Sequence, residues 1–128
     1  MTKQKYERIA TIIVDACYKV HKKLGPGLLE SAYQACLAYE LTKRELNIKA
    51  EVPLPLVYEE VKLDCGYRLD IVVENNILIE LKSVEQLAPI HSAQIITYLK
   101  LSKMKMGFLV NFNVPLIKEG IKRFVNNY

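Results

Sequence analysis

Two acids and a lysine lie inside one of the most apolar stretches of the chain. Residues 69–83, LDIVVENNILIELKS, are rich in leucine, isoleucine and valine, yet they contain Asp70, Glu80 and Lys82. A charged side chain in such a setting costs free energy unless it is paired or binds a ligand. Two carboxylates can bind a hard divalent cation, and a lysine beside them can contact a phosphate. The stretch therefore predicts either an ion pair or a metal-dependent site.

The length of the turn in this predicted hairpin decides whether the two acids meet. Strand side chains alternate between faces, so the pairing register determines which residues are neighbours. With a two-residue loop, Asp70 lies opposite Leu81 and the acids point to opposite faces. With a three-residue loop at 74–76, or a bulge near Asp70, Asp70 lies opposite Glu80, and Lys82 shares their face. Asparagine tolerates the left-handed backbone that the longer loop needs.

Carboxylates this close repel each other by about 4 kcal/mol at about 4 Å when the effective dielectric is about 20. Lys82 can neutralise only one of them. One interpretation is therefore a salt bridge from Lys82 to one acid, with the other acid solvated at the strand end. The other interpretation is a bound cation, because divalent ions bind carboxylate oxygens.

Glu30 is a third candidate acid, in the first turn of a predicted helix. A glutamate there stabilises the helix dipole by about 0.3–1 kcal/mol and needs no further role. If this helix packs on the sheet, however, Glu30 can face Asp70 and Glu80. Three acids and Lys82 then sum to −2, since −3 + 1 = −2, and one divalent cation balances that charge.

A second group of polar residues lies on another predicted helix. His91, Gln94 and Tyr98 are spaced at i, i+3 and i+7, so they share one face of the helix. They can pack against the core with their polar ends in water, or line the same cleft and position substrate or water. His91 is also a candidate base, although a histidine at a helix start is commonly just a partly exposed residue. The spacing alone leaves these alternatives open.

The rest of the sequence predicts the elements that place these residues. Apolar side chains at helical spacing predict helices over about 5–24 and 28–46, separated by GPG at 25–27. Strands are predicted at 48–58, 61–73, 77–83 and 106–112, and a helix at about 89–103; the tail after 113 fits either strand or helix. Two prolines place the first strand at a sheet edge, and EE at 59–60 makes a turn. The order predicts an α/β domain: a mixed sheet with a hairpin meander and one crossover strand, flanked by helices.

Length and composition fit one domain over residues 1–128. No apolar run approaches the ~20 residues needed to span a membrane, and the N-terminus lacks the apolar block of a secretion signal. We therefore expect a cytoplasmic protein without a membrane partner. The net charge of +4 permits a polyanionic partner but does not require one. The three cysteines are far apart and form no CxxC pair, which argues against a disulfide framework, a zinc site or an iron–sulfur site.

The spacing of the hairpin charges resembles a known nuclease signature. Asp70, a nine-residue gap and then Glu80-Leu81-Lys82 is similar to the D…(D/E)xK motif of the PD-(D/E)XK nuclease superfamily. Leu69 stands where the superfamily name has proline, a position that varies among its members. This motif is weak when it is taken alone.

Two further motifs strengthen the resemblance. GLLESAY at 27–33, with Glu30 and Tyr33, matches the motif that names the small GxxExxY-type branch of this superfamily. Gln94 and Tyr98, in the helix after the ExK strand, are similar to the QxxxY feature of RecB-like members. The likeness covers about residues 5–125, without the four-cysteine iron–sulfur site of the CRISPR-associated RecB-like exonucleases.

The resemblance implies a restriction-endonuclease-like core and a role for each site residue. Asp70 and Glu80 would bind Mg²⁺ or Mn²⁺, with the backbone carbonyl of Leu81 completing the site and Glu30 as an acidic helper. Lys82 would orient the attacking water and stabilise charge on the phosphate. Further substrate contacts or supporting residues would come from Gln94, Tyr98, His91 and Tyr33.

Three functions then compete. The first is a metal-dependent nuclease that hydrolyses phosphodiester bonds in nucleic acid, with DNA as the expected substrate and a homodimer as a plausible assembly for so small an enzyme. The second is a non-catalytic nucleic-acid-binding or assembly module that retains the nuclease fold. The third is a structural domain whose acids only form ion pairs.

Overall fold

A computed structural model describes residues 1–128 as three helices, seven strands and one short 3-10 helix. The helices are α1 (Lys3–Leu24), α2 (Glu30–Lys43) and α3 (Pro89–Ser102), and the 3-10 helix is Ile117–Gly120. The strands are β1 (Ile48–Pro53), β2 (Leu56–Tyr58), β3 (Val61–Leu63), β4 (Arg68–Val73), β5 (Ile77–Lys82), β6 (Met106–Asn111) and β7 (Ile121–Val125). None of the helices combines the length and the apolar character needed to cross a membrane.

Five strands form one sheet in the order β1-β4-β5-β6-β7. Strands β5 and β6 are parallel and are connected through α3, whereas every other neighbouring pair is antiparallel. The predicted mixed sheet, with a hairpin meander and one crossover strand, is therefore confirmed. Strand β5 is buried along almost its whole length, as its continuous apolar sequence predicts.

The two faces of this sheet are covered by different helices. On one face, α1 and α2 share a core with Ile71, Ile79 and Leu81. On the other face, α3 packs through Ile95, Tyr98 and Leu99 against a cluster that includes Val72 and Leu78. Because strand side chains alternate, the residues at positions 70, 80 and 82 belong to the α3 face. The candidate site therefore lies on the side of the sheet that α3 covers.

Two strands that the sequence predicts as continuous are each divided in two, and this part of the prediction is wrong. The segment 48–58 breaks between β1 and β2, where Pro53 and Pro55 lack the N–H groups that a continuing ladder requires. The segment 61–73 breaks between β3 and β4, where Gly66 has a φ of 79° and its N–H donates to Asp64 Oδ1 at 3.0 Å. The predicted turn at 59–60 is confirmed.

Strands β2 and β3 pair with each other and form a separate two-stranded ribbon. In the sequence this ribbon lies between β1 and β4, which are neighbours in the large sheet. We call residues 54–67 the arm. The tail, which the sequence leaves ambiguous, forms the 3-10 helix and then β7, which pairs with β6 at the edge of the sheet.

Candidate functional site

The hairpin of β4 and β5 has the longer of the two predicted turns. Val73 pairs with Ile77, so residues 74–76 form a three-residue loop. Asn76 N–H donates to the Val73 carbonyl at 3.0 Å, and Glu74 and Asn75 have left-handed φ angles of 52° and 58°. This register places position 70 across from position 80.

The two acids replace the backbone ladder at this point. Regular pairing of β4 with β5 ends at Ile71 and Ile79. Beyond it, Glu80 Oε2 accepts a hydrogen bond from Asp70 N–H at 2.8 Å, and Asp70 Oδ2 accepts one from Leu81 N–H at 2.8 Å. Each carboxylate is thus fixed by the opposite strand through one oxygen, and its other oxygen accepts no hydrogen bond from the protein.

Burial makes this arrangement unfavourable for two negative charges. It raises the pKa of Asp70, and together with the charge of Asp70 it raises the pKa of Glu80 to about 8. Glu80 is 5% exposed, so water screens it little. In the absence of a cation, Glu80 is therefore mostly protonated at neutral pH. A divalent cation fits this donor set, since both available groups are carboxylate oxygens whose ionised forms lack a compensating charge.

Lys82 does not neutralise the acids by direct contact. The chain's five ion pairs with N–O distances within 4.0 Å involve other residues. The positive charge of Lys82 still lowers the pKa of both Asp70 and Glu80, although burial outweighs it. The salt bridge considered from the sequence is therefore not formed, and the ammonium group of Lys82, a half-buried residue, is available to another anion.

Glu30 lies near the two acids but does not join them. It is exposed and forms neither a hydrogen bond nor an ion pair with another side chain, while its charge contributes to the raised pKa of Asp70. Helix α2 packs on the opposite face of the sheet, through residues such as Tyr33 and Leu37, so its first turn approaches the acids only from the side. No group of three or more His, Cys, Asp or Glu side chains is close enough to hold a metal ion.

Glu51 is a neighbour of the site that sequence reasoning missed. The register of β1 against β4 places it across from Asp70, and its charge raises the pKa of both Asp70 and Glu80. Its backbone is left-handed, with a φ of 53°, and its Oε1 accepts a hydrogen bond from Gln34 Nε2 at 3.0 Å. The pairing of β1 with β4 spans the arm, so no local sequence signal could have revealed this contact.

Tyr33 organises the loop that precedes α2. Its buried hydroxyl donates to the Gly25 carbonyl at 2.6 Å and accepts from Leu28 N–H at 3.1 Å, while its ring stacks on Phe112 at 4.5 Å. The Leu28 carbonyl in turn accepts from Ser83 Oγ at 2.5 Å. Tyr33 is thus placed to position this loop beside the end of β5 and is too deeply buried to contact a substrate.

Gln94 and Tyr98 form the border between α3 and the acids. Gln94 Nε2 donates to the Tyr98 hydroxyl at 3.1 Å, and Tyr98 is 7% exposed. Burial and then the charge of Glu80 raise the pKa of Tyr98. The two residues share the α3 face with the acids, as the helical spacing predicts.

His91 caps the start of α3. Its Nδ1 accepts a hydrogen bond from Ala88 N–H at 3.0 Å, so Nδ1 is the unprotonated nitrogen of the ring. The remaining nitrogen, Nε2, then carries the proton. In this tautomer the Nε2–H group of His91 can donate a hydrogen bond to an anion, while its Nδ1 is engaged by Ala88 N–H.

Asn111 is a second residue that sequence reasoning missed. It is 2% exposed at the end of β6, where it pairs with Lys82 in the parallel ladder. Its amide donates to the Val84 carbonyl at 2.9 Å, and its Oδ1 accepts from Val84 N–H at 3.1 Å and Asn113 N–H at 3.2 Å. These bonds hold the segment that follows Lys82. An asparagine ending an apolar run gives no sequence signal for such a role.

A family model described as the PD-(D/E)XK nuclease superfamily matches residues 7–124. This range contains nearly the whole chain, including strands β1 to β6 and all but the last residue of β7. It confirms the predicted superfamily, while assignment to the GxxExxY-type branch stays a prediction. No curated protein and no solved structure gives a match.

Proposed function

The chain belongs to the PD-(D/E)XK nuclease superfamily, and we propose that residues 1–128 form a single metal-dependent nuclease domain. It would hydrolyse phosphodiester bonds in nucleic acid, with DNA as the expected substrate. Members of the superfamily are generally nucleases and typically use divalent metal ions. The observation that carries the proposal is the reciprocal locking of Asp70 and Glu80 beside a lysine that has no ion-pair partner.

The free oxygens of Asp70 and Glu80 would hold Mg²⁺ or Mn²⁺, with the backbone carbonyl of Leu81 as a further oxygen donor. Oxygen donors of this kind suit hard divalent cations. Glu30, exposed at the start of α2, would add negative charge near the ion without forming part of a compact cluster. When bound, the ion would supply charge neutralisation at the phosphate and lower the pKa of a water molecule.

Lys82 would act on the substrate. Its ammonium group, on the same face as the two acids, can donate hydrogen bonds to the scissile phosphate and to the attacking water. Fixed donors aimed at the charge that develops in a transition state commonly contribute a large share of catalysis. On α3, the Nε2–H of His91 and the amide of Gln94 would contact the phosphate backbone, with Tyr98 positioning Gln94. Tyr33 would support the site through the loop at Leu28.

One observation favours the non-catalytic alternative. The acids form no cluster of three, so the site offers fewer charged ligands than the sequence predicts. A module that binds nucleic acid without cleaving it would satisfy the same geometry. Only the nuclease is expected to cleave nucleic acid, so a cleavage assay distinguishes the two functions.

The test is a panel of labelled single-stranded and double-stranded DNA and RNA, incubated with Mg²⁺, Mn²⁺ or EDTA. We expect the wild-type chain to cut in either metal and not in EDTA, and Asp70→Asn to cut nothing. Glu119→Gln, which alters an exposed acid on the 3-10 helix outside the site, is the matched control and should cut like the wild type. Binding without cleavage under every condition would favour the non-catalytic module.

A further inference from the structure

A groove of about 320 Å³ lies between the arm and α3. Of its eight lining residues, six are hydrophobic, so it suits an apolar and flat ligand better than a phosphate. The lining includes Leu56 and Tyr67 from the arm and Ile90, Gln94, Tyr98 and Leu101 from α3.

This groove adjoins the candidate catalytic acids. Tyr98, which forms part of its wall, packs in one cluster with Val72 and Leu78. Val72 follows Asp70 by two positions on β4, and Leu78 precedes Glu80 by two positions on β5. Residues two positions apart on a strand lie on the same face, about 7 Å from each other. Burial raises the pKa of Tyr98, and the charges of Glu80 and Asp70 raise it further, so the wall of the groove adjoins the acids.

Tyr67 gives the groove an aromatic ring that is available for stacking. It is 44% exposed, and it meets Tyr98 edge-on, with ring centroids 6.1 Å apart and an interplanar angle of 61°. Every nucleobase has a π-face, and aromatic side chains on which bases stack are a recurring feature of proteins that bind unpaired strands.

The charge of the arm disfavours a second strand. The arm carries Glu59, Glu60, Asp64 and Lys62, so its net charge is −3 + 1 = −2, and the rest of the chain is +4 − (−2) = +6. A complementary strand would bring further phosphates near this acidic arm, whereas a single strand can place its base in the groove with its own phosphates on the side of α3. Like charges that meet in this way reduce affinity.

We propose that the groove between the arm and α3 receives an unpaired nucleobase next to the scissile phosphate, so that the protein selects single-stranded nucleic acid. The inference names the substrate class of the proposed nuclease and rests on that function for the identity of the neighbouring phosphate. The base stacks on Tyr67, and the apolar side chains of α3 exclude water from its other edge.

The test compares wild type, Tyr67→Ala and Tyr67→Phe in binding to a fluorescent single strand and to its duplex, in EDTA, by anisotropy. We expect wild type and Tyr67→Phe, which keeps the ring, to prefer the single strand. Tyr67→Ala should bind the single strand about tenfold more weakly, with the affinity for the duplex unchanged. Circular dichroism and thermal unfolding check that Tyr67→Ala is folded; if it is not, Tyr67→Leu, which keeps the bulk and loses the ring, replaces it.

Single-strand binding that is the same in Tyr67→Ala, or an equal loss for single strand and duplex, would overturn the inference. So would concentration-dependent self-association that Tyr67→Ala abolishes, because the groove would then be an interface between copies of the chain. None of these readouts requires cleavage. If single strands bind in a way that depends on the ring of Tyr67 but are not cleaved in any metal, the nuclease proposal is wrong and the nucleobase groove is supported. If nucleic acid is cleaved equally well with and without Tyr67, the nuclease proposal is supported and the nucleobase groove is wrong.

Discussion

Glu80 couples the stability of the metal-free protein to pH. Its folded-state pKa of about 8 lies above its ordinary value of 4.5. Between these values the unfolded chain loses the proton while the folded chain keeps it, so the free energy of unfolding falls as pH rises. The slope approaches about 1.4 kcal/mol per pH unit and levels off above about pH 8. Below pH 4.5 both states are mostly protonated, and the contribution of Glu80 to the slope fades.

We therefore predict that Glu80→Gln stabilises the metal-free protein at pH 8, by about 2–4 kcal/mol, and changes it little at pH 4.5. The amide keeps an oxygen for Asp70 N–H but carries no charge. Urea unfolding in EDTA at the two pH values measures the difference, with Glu119→Gln as control. Equal stability of wild type and Glu80→Gln at pH 8 would contradict the raised pKa.

The second prediction concerns the role of the Lys82 ammonium group in cleavage. Lys82→Met should bind Mn²⁺ within a small factor of wild type, because Asp70 and Glu80 are intact and the lysine contacts neither of them. It should lose about a hundredfold or more in cleavage rate, since a positioned donor at the phosphate is commonly worth a few kcal/mol. Single-turnover cleavage and calorimetry measure the two effects separately. Near-normal cleavage by Lys82→Met would remove this lysine from the proposed mechanism.

That Asp70, Glu80 and Lys82 share one face of the hairpin was predictable from the sequence, because alternation and loop length are local properties of a hairpin. Alternation and loop length left only two registers for Asp70, and the three-residue loop selects the one that pairs it with Glu80. Glu51 and Asn111 were not predicted, since each reaches the site through a pairing that is distant in sequence. Local spacing also cannot show that Glu30 stays exposed and forms no contact with the two acids.

The loop between α1 and α2 contacts the end of β5 through the hydrogen bond from Ser83 to Leu28, and the hydroxyl of Tyr33 fixes the position of this loop. Tyr33→Phe keeps the ring that stacks on Phe112 but loses the hydroxyl that bonds to Gly25 and Leu28. The Gly25 carbonyl and the Leu28 N–H, which are partly buried, are then left without this partner. We predict a loss of about 1–3 kcal/mol in the free energy of unfolding.

Tyr39→Phe is the matched control for this change, because Tyr39 lies on the same helix and is 70% exposed. Chemical denaturation of both variants should show a loss in Tyr33→Phe alone. A Tyr33→Phe protein as stable as Tyr39→Phe would mean that water replaces the hydroxyl at no cost.

The elements themselves were largely predictable, and the exceptions have a physical cause. Hydrophobic periodicity marks α1, which buries one face, and a continuous apolar run marks β5, which is buried on both faces. Periodicity fails at the arm, where prolines and Gly66 interrupt strands whose alternation continues on both sides. Whether such a segment continues a sheet or leaves it depends on tertiary pairing, which the alternation of side chains does not encode.

For the whole molecule, we predict salt-sensitive but moderate binding of nucleic acid. The net charge of +4 is spread over many surface lysines, so only a few phosphates are neutralised. The logarithm of the affinity should fall linearly with the logarithm of the salt concentration, with a slope of roughly −2 to −4. Anisotropy titrations at several salt concentrations measure this slope, and an affinity independent of salt would exclude phosphate contacts.

We propose a homodimer for this small domain. Light scattering over a range of concentrations gives the mass in solution, for which the dimer predicts twice the 14.7 kDa of one chain. A mass of 14.7 kDa at every concentration would contradict the dimer, and each protein molecule would then have a single candidate site.

Proton-coupled binding of Mn²⁺ tests the central claim, that Asp70 and Glu80 together hold a divalent cation. Titration calorimetry at pH 7, in two buffers with different ionisation enthalpies, gives the affinity and the number of protons released. Because the Glu80 pKa is about 8 without a cation, binding must displace its proton. We predict one Mn²⁺ per chain with about one proton released, and no comparable binding by Asp70→Asn. Wild-type protein that binds no Mn²⁺, or Asp70→Asn that binds it equally well, would contradict the metal site.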